Sequence, residues 1–289
     1  LSEVVPAHKT RPRALRTNLY VYAVLSRRAE GVSIGVNLSP HKGCNFDCSY
    51  CQVDRRTPAT VKTVDLAILR DEIRDAFDAA KSGDLFVDQR FAGTPKSMLV
   101  LADVAFAGDG EPTNEPWFAD AARVVAEERT RAGLTSLPFR IITNATVFHQ
   151  PKVAETLRFL DAHGLDVWAK LDAGTEAYYL FVDRTRVPFR RVLDNLLLCA
   201  KERPTTIQSL FARHHGEPPS DAEIAAWAER LRELRAGGAT IPWVQVHTVS
   251  RPPAESWVQP LTMDELEKIA AAARAALPGA RVVAYRGSA

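Results

Sequence analysis

The sequence predicts an α/β protein with a largely parallel sheet, curled into an incomplete (β/α)6 barrel behind a short basic N-terminal extension. Short apolar runs alternate with longer stretches of helical periodicity, and that alternation implies parallel strands joined by right-handed crossovers. Side chains able to do chemistry follow the ends of consecutive strands: cysteines after the first, Glu111 after the second, Asn144 after the third, Lys170 and Asp172 at the fourth, His247 at the sixth. An open doubly wound sheet and a barrel both fit the alternation, but residues collected from many strand ends suit a barrel mouth better than one crevice. The composition, 46% hydrophobic and 25% charged over 289 residues, excludes disordered, collagen-like and coiled-coil chains.

Each element has its own warrant. Residues 1–30 form the basic extension and residues 31–289 the core, with a C-terminal helix and strand. The first strand covers residues 31–38 (GVSIGVNL) and runs into the cysteines. A helix over 64–81 places Leu66, Leu69, Ile73 and Phe77 at helical spacing. A strand over 98–107 ends in the glycine-rich turn 108–113. A helix over 115–133, a strand over 139–143, a helix over 152–163 and a strand over 165–171 follow. Next come a helix over 190–201, a strand over 205–211, and a helix over 220–236 with Ser220 as its cap. A strand over 242–249, a helix over 263–277 and a last strand over 281–285 complete the pattern.

Lys plus Arg total 37 against 35 Asp plus Glu, too balanced for a protein that coats nucleic acid. Residues 1–42 nevertheless hold Lys9, Arg11, Arg13, Arg16, Arg27, Arg28 and Lys42 against Glu3 and Glu30, a net +5. Such an arm either meets an anionic partner or is simply solvated. No apolar run reaches the roughly 18 residues of a membrane span, and no secretory h-region precedes a cleavage site. The expectation is a cytoplasmic protein, whose start at Leu1 reflects processing or trimming.

Of the four cysteines, three stand in CNFDCSYC, residues 44–51. Thiolates at C-x3-C-x2-C spacing can each hold one iron of a [4Fe–4S] cubane and leave its fourth iron open. Soft sulfur ligands also suit zinc or copper. Structural zinc normally closes four ligands; no second cysteine pair exists, although His41 keeps a Cys3His site open on spacing. Cys199, within Leu196, Leu197, Leu198 and Ala200, has the surroundings of a small buried hydrophobe.

The C-x3-C-x-aromatic-C loop after a first strand resembles the signature of radical S-adenosylmethionine (SAM) enzymes. The resemblance implies a [4Fe–4S] cluster on Cys44, Cys48 and Cys51, with SAM chelating the open iron. It implies a 5′-deoxyadenosyl radical that takes hydrogen from substrate, and it places Tyr50 near the adenine. The turn GDGEPT, residues 108–113, stands where that family contacts the SAM ammonium, so Gly110 and Glu111 are implied cofactor residues; a polar tight turn is the plainer alternative. More narrowly, residues 35–53, the GEPT turn, Ile142-Thr143-Asn144 and Lys170-Leu171-Asp172-Ala173 resemble the wyosine-synthase-like branch, whose members modify tRNA. That branch carries further cysteines before the loop for a second cluster; here none precedes Cys44, which argues against the pyruvate-condensing reaction. A fused flavodoxin-like donor, present in eukaryotic relatives, does not fit this length, so an external one-electron donor such as flavodoxin or ferredoxin is implied.

The remaining candidates each carry two readings. Asn144 binds SAM or forms a turn. Lys170 and Asp172, at i and i+2, face one way and either hold a carboxylate and ribose hydroxyls or pair with each other. Of Gln208 and Ser209 only one faces inward. His247 contacts substrate or caps the core. Arg251, with Arg213, His214 and His215, binds an anion or forms a solvated rim. The function expected is radical SAM chemistry on tRNA or a related nucleotide. The alternatives are a small-molecule or peptide substrate, or a zinc-stabilised binding module.

Overall fold

The computed structural model describes residues 18–287. A hairpin of β1 (Val21–Ser26) and β2 (Gly31–Val36) opens the fold. The rest follows as α1 (Leu66–Ser82), β3 (Leu101–Phe106), α2 (Phe118–Arg131), β4 (Phe139–Thr143), α3 (Pro151–Asp161), β5 (Leu165–Lys170), α4 (Glu176–Asp183) and α5 (Phe189–Glu202). Then come β6 (Thr205–Leu210), β7 (Arg213–His214), α6 (Asp221–Ala236), β8 (Trp243–His247), β9 (Val258–Gln259), α7 (Met263–Ala276) and β10 (Arg281–Tyr285). Eight strands form one sheet in the order β1-β2-β3-β4-β5-β6-β8-β10. Only β1 runs antiparallel to its neighbour. The short β7 and β9 pair separately.

The six expected strands and the helices between them form within a few residues of their predicted bounds, and β10 joins as another parallel strand. With β10 the sheet has seven parallel strands, and β1, which the sequence reading did not place, adds an antiparallel edge. β1 lies in the stretch read as a basic extension. Its buried Val21, Tyr22 and Ala23 are flanked by charge that hid their pattern. Glu72 of α1 secures its entry, accepting from the backbone N–H of Tyr20 at 2.8 Å and of Val21 at 2.9 Å. Lys9, Arg11, Arg13 and Arg16 lie outside the described residues.

The sheet is curled. In a flat sheet β2 and β10 would stand roughly 30 Å apart at the usual strand spacing. Yet Glu30, just before β2, pairs with Arg281 of β10 at 3.4 Å, and Arg27 donates to Ser250 beyond β8 at 3.2 Å. Helices cover the convex side, where Val244 and Val246 of β8 are fully buried in the aliphatic core with Leu266 and Ile269 of α7. The concave face is polar: Arg140 spans Asp103 and Asp166, and its guanidinium lies 4.0 Å from the Trp168 ring centroid. Because the seven strands run parallel, the loops after their C-terminal ends meet at one mouth. Among the described residues no helix is long and apolar enough to cross a membrane.

Candidate functional site

The cysteine loop leaves β2 and is seated on two walls. One is the 108–113 turn after β3. Asn37 Nδ2 donates to Asp109 Oδ2 at 2.8 Å and its Oδ1 accepts from the Asp109 backbone at 3.0 Å. The approach demands glycine: a Cβ on Gly110 would lie 2.0 Å from the Gly43 carbonyl oxygen, and one on Gly108 2.1 Å from Asn37 Oδ1. The other wall is the end of α4. Asp47 and Ser49 donate backbone N–H groups to the Asp183 and Val182 carbonyls at 3.1 and 2.7 Å, and Thr185 Oγ1 donates to the Asn45 carbonyl at 2.7 Å.

Cys44, Cys48 and Cys51 are free and half-buried. Burial raises the Cys44 thiol to about 11 although the Phe46 N–H, 3.4 Å from its sulfur, works the other way. Burial, then the carboxyl of Asp183, lifts Cys48 well above its ordinary value. A cavity of about 410 Å³ opens beside Cys44 between Phe46, Arg184 and Arg191. Among the described residues no three His, Cys, Asp or Glu side chains converge as ligands of one metal ion. One zinc would need its sulfurs about 2.3 Å from a common centre, whereas cubane irons each take a separate thiolate. His41 is engaged at both nitrogens, accepting from Gly43 N–H at 2.8 Å through Nδ1 and meeting Glu115 at 3.1 Å through Nε2. A Cys3His zinc site would have to break both of these His41 contacts, whereas three thiolates on one loop are the donor set that a cubane takes.

Glu111 is 3% exposed. Its Oε1 accepts from Thr113 N–H (3.1 Å), Thr113 Oγ1 (2.5 Å) and Thr143 Oγ1 (2.7 Å), and its Oε2 from Asn144 N–H (2.7 Å). Burial raises its pKa, opposed by these donors. No cation pairs with it among the described residues. Asn144 is committed to the protein: its Nδ2 donates to Asn45 Oδ1 at 2.7 Å and its Oδ1 accepts from Thr146 Oγ1 at 2.8 Å. That tie joins the end of β4 to the cysteine loop.

Beside Cys48 lies a closed cluster. Lys170 Nζ is 3.0 Å from Asp172 Oδ2, as their shared face predicts, and 4.9 Å from the Tyr50 ring centroid. The Tyr50 hydroxyl donates to Asp172 and reaches Asp183 at 3.3 Å, while Leu210 N–H donates to Asp172 Oδ1 at 2.7 Å. Burial opposes the Lys170 charge, but Asp172 and the neighbouring acids outweigh it and raise its pKa. Burial, then Asp172, raises Asp183 to about 8. Sequence reasoning missed Asp183 because it sits at the end of a short aromatic helix, outside any motif and far along the chain from Tyr50.

The other candidates are placed as follows. Gln208 faces inward and donates to Gln245 at 3.0 Å, whereas Ser209 faces outward and donates to the Leu171 carbonyl at 2.5 Å. His247 lies on the concave face with Nε2 buried and, among the described residues, unpaired. The grouping of Arg251, Arg213, His214 and His215 dissolves into separate pairings. Arg251 donates to Gln52 at 3.0 Å, Arg213 pairs with Glu265, His214 meets Ser49 at 3.0 Å, and His215 stacks on Trp257. Cys199 is 1% exposed in α5, away from the loop.

No known family profile matches the chain. A UPF0026 protein of Methanocaldococcus jannaschii is 24% identical over 250 residues, covering 86% of this chain and 68% of that protein. A UPF0026 protein of Helicobacter pylori is 28% identical over 139 residues, 48% of this chain and 38% of the relative. A protein named GTPase Obg from Brachyspira hyodysenteriae is 26% identical over 197 residues, 66% of this chain. The chain spans only 24% of that protein's length, and no Gly-Lys pair, hence no P-loop, occurs in it. Among solved structures, one described as the crystal structure of archaeal TYW1 is 14% identical with a TM-score of 0.47, covering 86% of this chain and 72% of that one.

Proposed function

We propose that the chain is a radical SAM enzyme whose cluster is held by Cys44, Cys48 and Cys51. One observation carries the reading: three free thiols on a C-x3-C-x-aromatic-C loop stand at the mouth where the parallel strands end, with Glu111 packed beside them. When bound, a [4Fe–4S] cluster and SAM would supply the one-electron cleavage that makes a hydrogen-abstracting 5′-deoxyadenosyl radical. The protein's part is to bind, orient and exclude water. Glu111, its carboxylate fixed by four uncharged donors and paired with no cation among the described residues, would accept the SAM ammonium. Gly108 and Gly110 let that carboxylate's turn touch the loop. Tyr50 would lie near the adenine, and Asp172 and Lys170, now paired with each other, would engage the ribose and a carboxylate by exchanging that contact. Asn144 contributes by holding Asn45, and so the loop. The resemblance to the wyosine-synthase-like branch and the +5 N-terminal stretch favour tRNA or a related nucleotide as substrate; a small molecule or peptide is the second reading. An external donor of the flavodoxin or ferredoxin kind supplies the electron.

The test is anaerobic reconstitution. The protein is expected to bind about four irons and four sulfides per chain and, with dithionite, to release methionine and 5′-deoxyadenosine. Replacing Cys44, Cys48 or Cys51 by Ala abolishes iron binding and Cys199→Ala leaves it intact. About one zinc per chain without iron, or no SAM cleavage under strict anaerobiosis, overturns the reading.

A further inference from the structure

Below the mouth, the concave face carries a second polar layer that the proposed chemistry does not use. Trp243, Gln245 and His247 alternate along β8 with the helix-facing Val244 and Val246, so the three share the concave side. Register places Gln245 opposite Gln208 and Gln208 opposite Lys170, a row across three strands. Gln208 Nε2 donates to Gln245 Oε1 at 3.0 Å, which leaves the Gln245 amide nitrogen as the donor facing the layer. Gln245 Nε2, His247 Nε2 and Trp243 Nε1 are buried without partners among the described residues, and Gln245 is 0% exposed.

The β1–β2 turn sends Arg28 into the same layer. Its guanidinium is 5.7 Å from the Trp168 ring centroid, and Trp168 meets Trp243 edge-on at 5.7 Å. The surrounding cations are matched: Arg140 by Asp103 and Asp166, Lys170 by Asp172, Arg281 by Glu30. Arg28 has no hydrogen-bond or carboxylate partner among the described residues. Burial, eased by Tyr285, lowers its pKa to about 10. Burial, then Arg28 and Lys170, hold the His247 pKa well below its ordinary value, opposed by a hydrogen bond to the Thr248 backbone. An orphan acceptor, Asp103 Oδ1, lies across the sheet beside Arg140. The side near β8 is a surplus of donors, a costly state unless a ligand supplies acceptors.

We propose that this inner layer seats a compact oxyanion, the carboxylate or phosphoryl group of a small substrate, against Arg28 with Gln245 and Trp243 as further donors. That the ligand is the substrate rests on the function proposed above; the seat itself rests on geometry. A guanidinium matches carboxylate and phosphate alike. The layer shares its face with Lys170, whose partner Asp172 joins Tyr50 at the mouth, so a molecule anchored by its acid group extends toward the loop.

The test is calorimetric titration of the purified protein, without SAM, at constant ionic strength. Inorganic phosphate is the probe in one arm and acetate in the other, and the tighter arm identifies the group. Saturable binding is expected, weakened at least about tenfold by Arg28→Gln, partly retained by Arg28→Lys, and unchanged by Arg27→Gln on the exposed neighbour. Thermal unfolding of Arg28→Gln is expected to lose the upward shift that the anion gives the parent. Absence of saturable binding in both arms, or binding indifferent to Arg28→Gln, overturns the seat. Iron assays on the same samples separate the two claims. Iron-free protein that binds the anion through Arg28 keeps the seat and sinks the radical reading; protein that cleaves SAM but binds neither anion does the reverse.

Discussion

On the outer wall Glu128 of α2 is met by three guanidinium groups: Arg74 at 3.0 Å, Arg70 at 3.1 Å and Arg131 at 2.6 Å. At the mouth Glu111 is met by none among the described residues and is fixed by two threonine hydroxyls and two backbone N–H groups. The hydrogen bond from Arg74, outweighing burial and joined by Arg131 and Arg70, draws the Glu128 pKa down to about 2, while burial pushes that of Glu111 up. A carboxylate closed on the protein's own cations braces α1 against α2. One held by neutral donors keeps its charge unmatched and its geometry set, the condition for binding a cation from outside.

The sharpest way to break this contrast is at the mouth's backbone. With a Cβ at Gly110 only 2.0 Å from the Gly43 carbonyl, Gly110→Val must push the cysteine loop away. Most of the reconstituted iron is expected to be lost, with overpacking costing about 1–3 kcal/mol in a denaturant melt. Normal iron content in that variant would show the turn and the loop to be independent. Next, Glu128→Gln is expected to lower stability by about 1–2 kcal/mol, discounted because its arginine partners are half-exposed, and to leave iron and SAM binding unchanged. A loss of SAM binding there would erase the division between brace and site.

The contrast also has a pH signature. The folded-state pKa of Glu128 is depressed, so its stabilising contribution is complete above the ordinary value of 4.5 and is lost as pH falls toward about 2. Acid unfolding of the parent should steepen across that window, and Glu128→Gln should remove that part of the slope. Identical acid profiles for parent and variant would contradict the role given to the three arginines.

How much of this was legible in the sequence differs between the two faces of the sheet. Period-3.6 helices and apolar strands announce the convex core; Phe77 and Val246 are buried where their spacing put them. The cysteine loop and the Glu111 turn were legible because their residues are contiguous. The concave face was not, since its partners are distant in sequence: Tyr50 meets Asp183 133 positions away, and Arg28 reaches Trp168 only because the sheet curls. Charge near the N-terminus concealed β1. The choice between Gln208 and Ser209 depends on register, which one strand read alone does not reveal.

The most direct measurement is SAM binding to Glu111→Gln by calorimetry, on anaerobic samples matched to the parent in iron content. Glutamine keeps the size and part of the acceptor capacity of Glu111 and removes the charge. If Glu111 is held ready for the SAM ammonium, affinity falls by roughly 1–3 kcal/mol, the worth of a charge-assisted hydrogen bond, while the melting profile stays close to that of the parent. Equal affinity in variant and parent would make the 108–113 turn a polar connection and would remove SAM from this side of the loop.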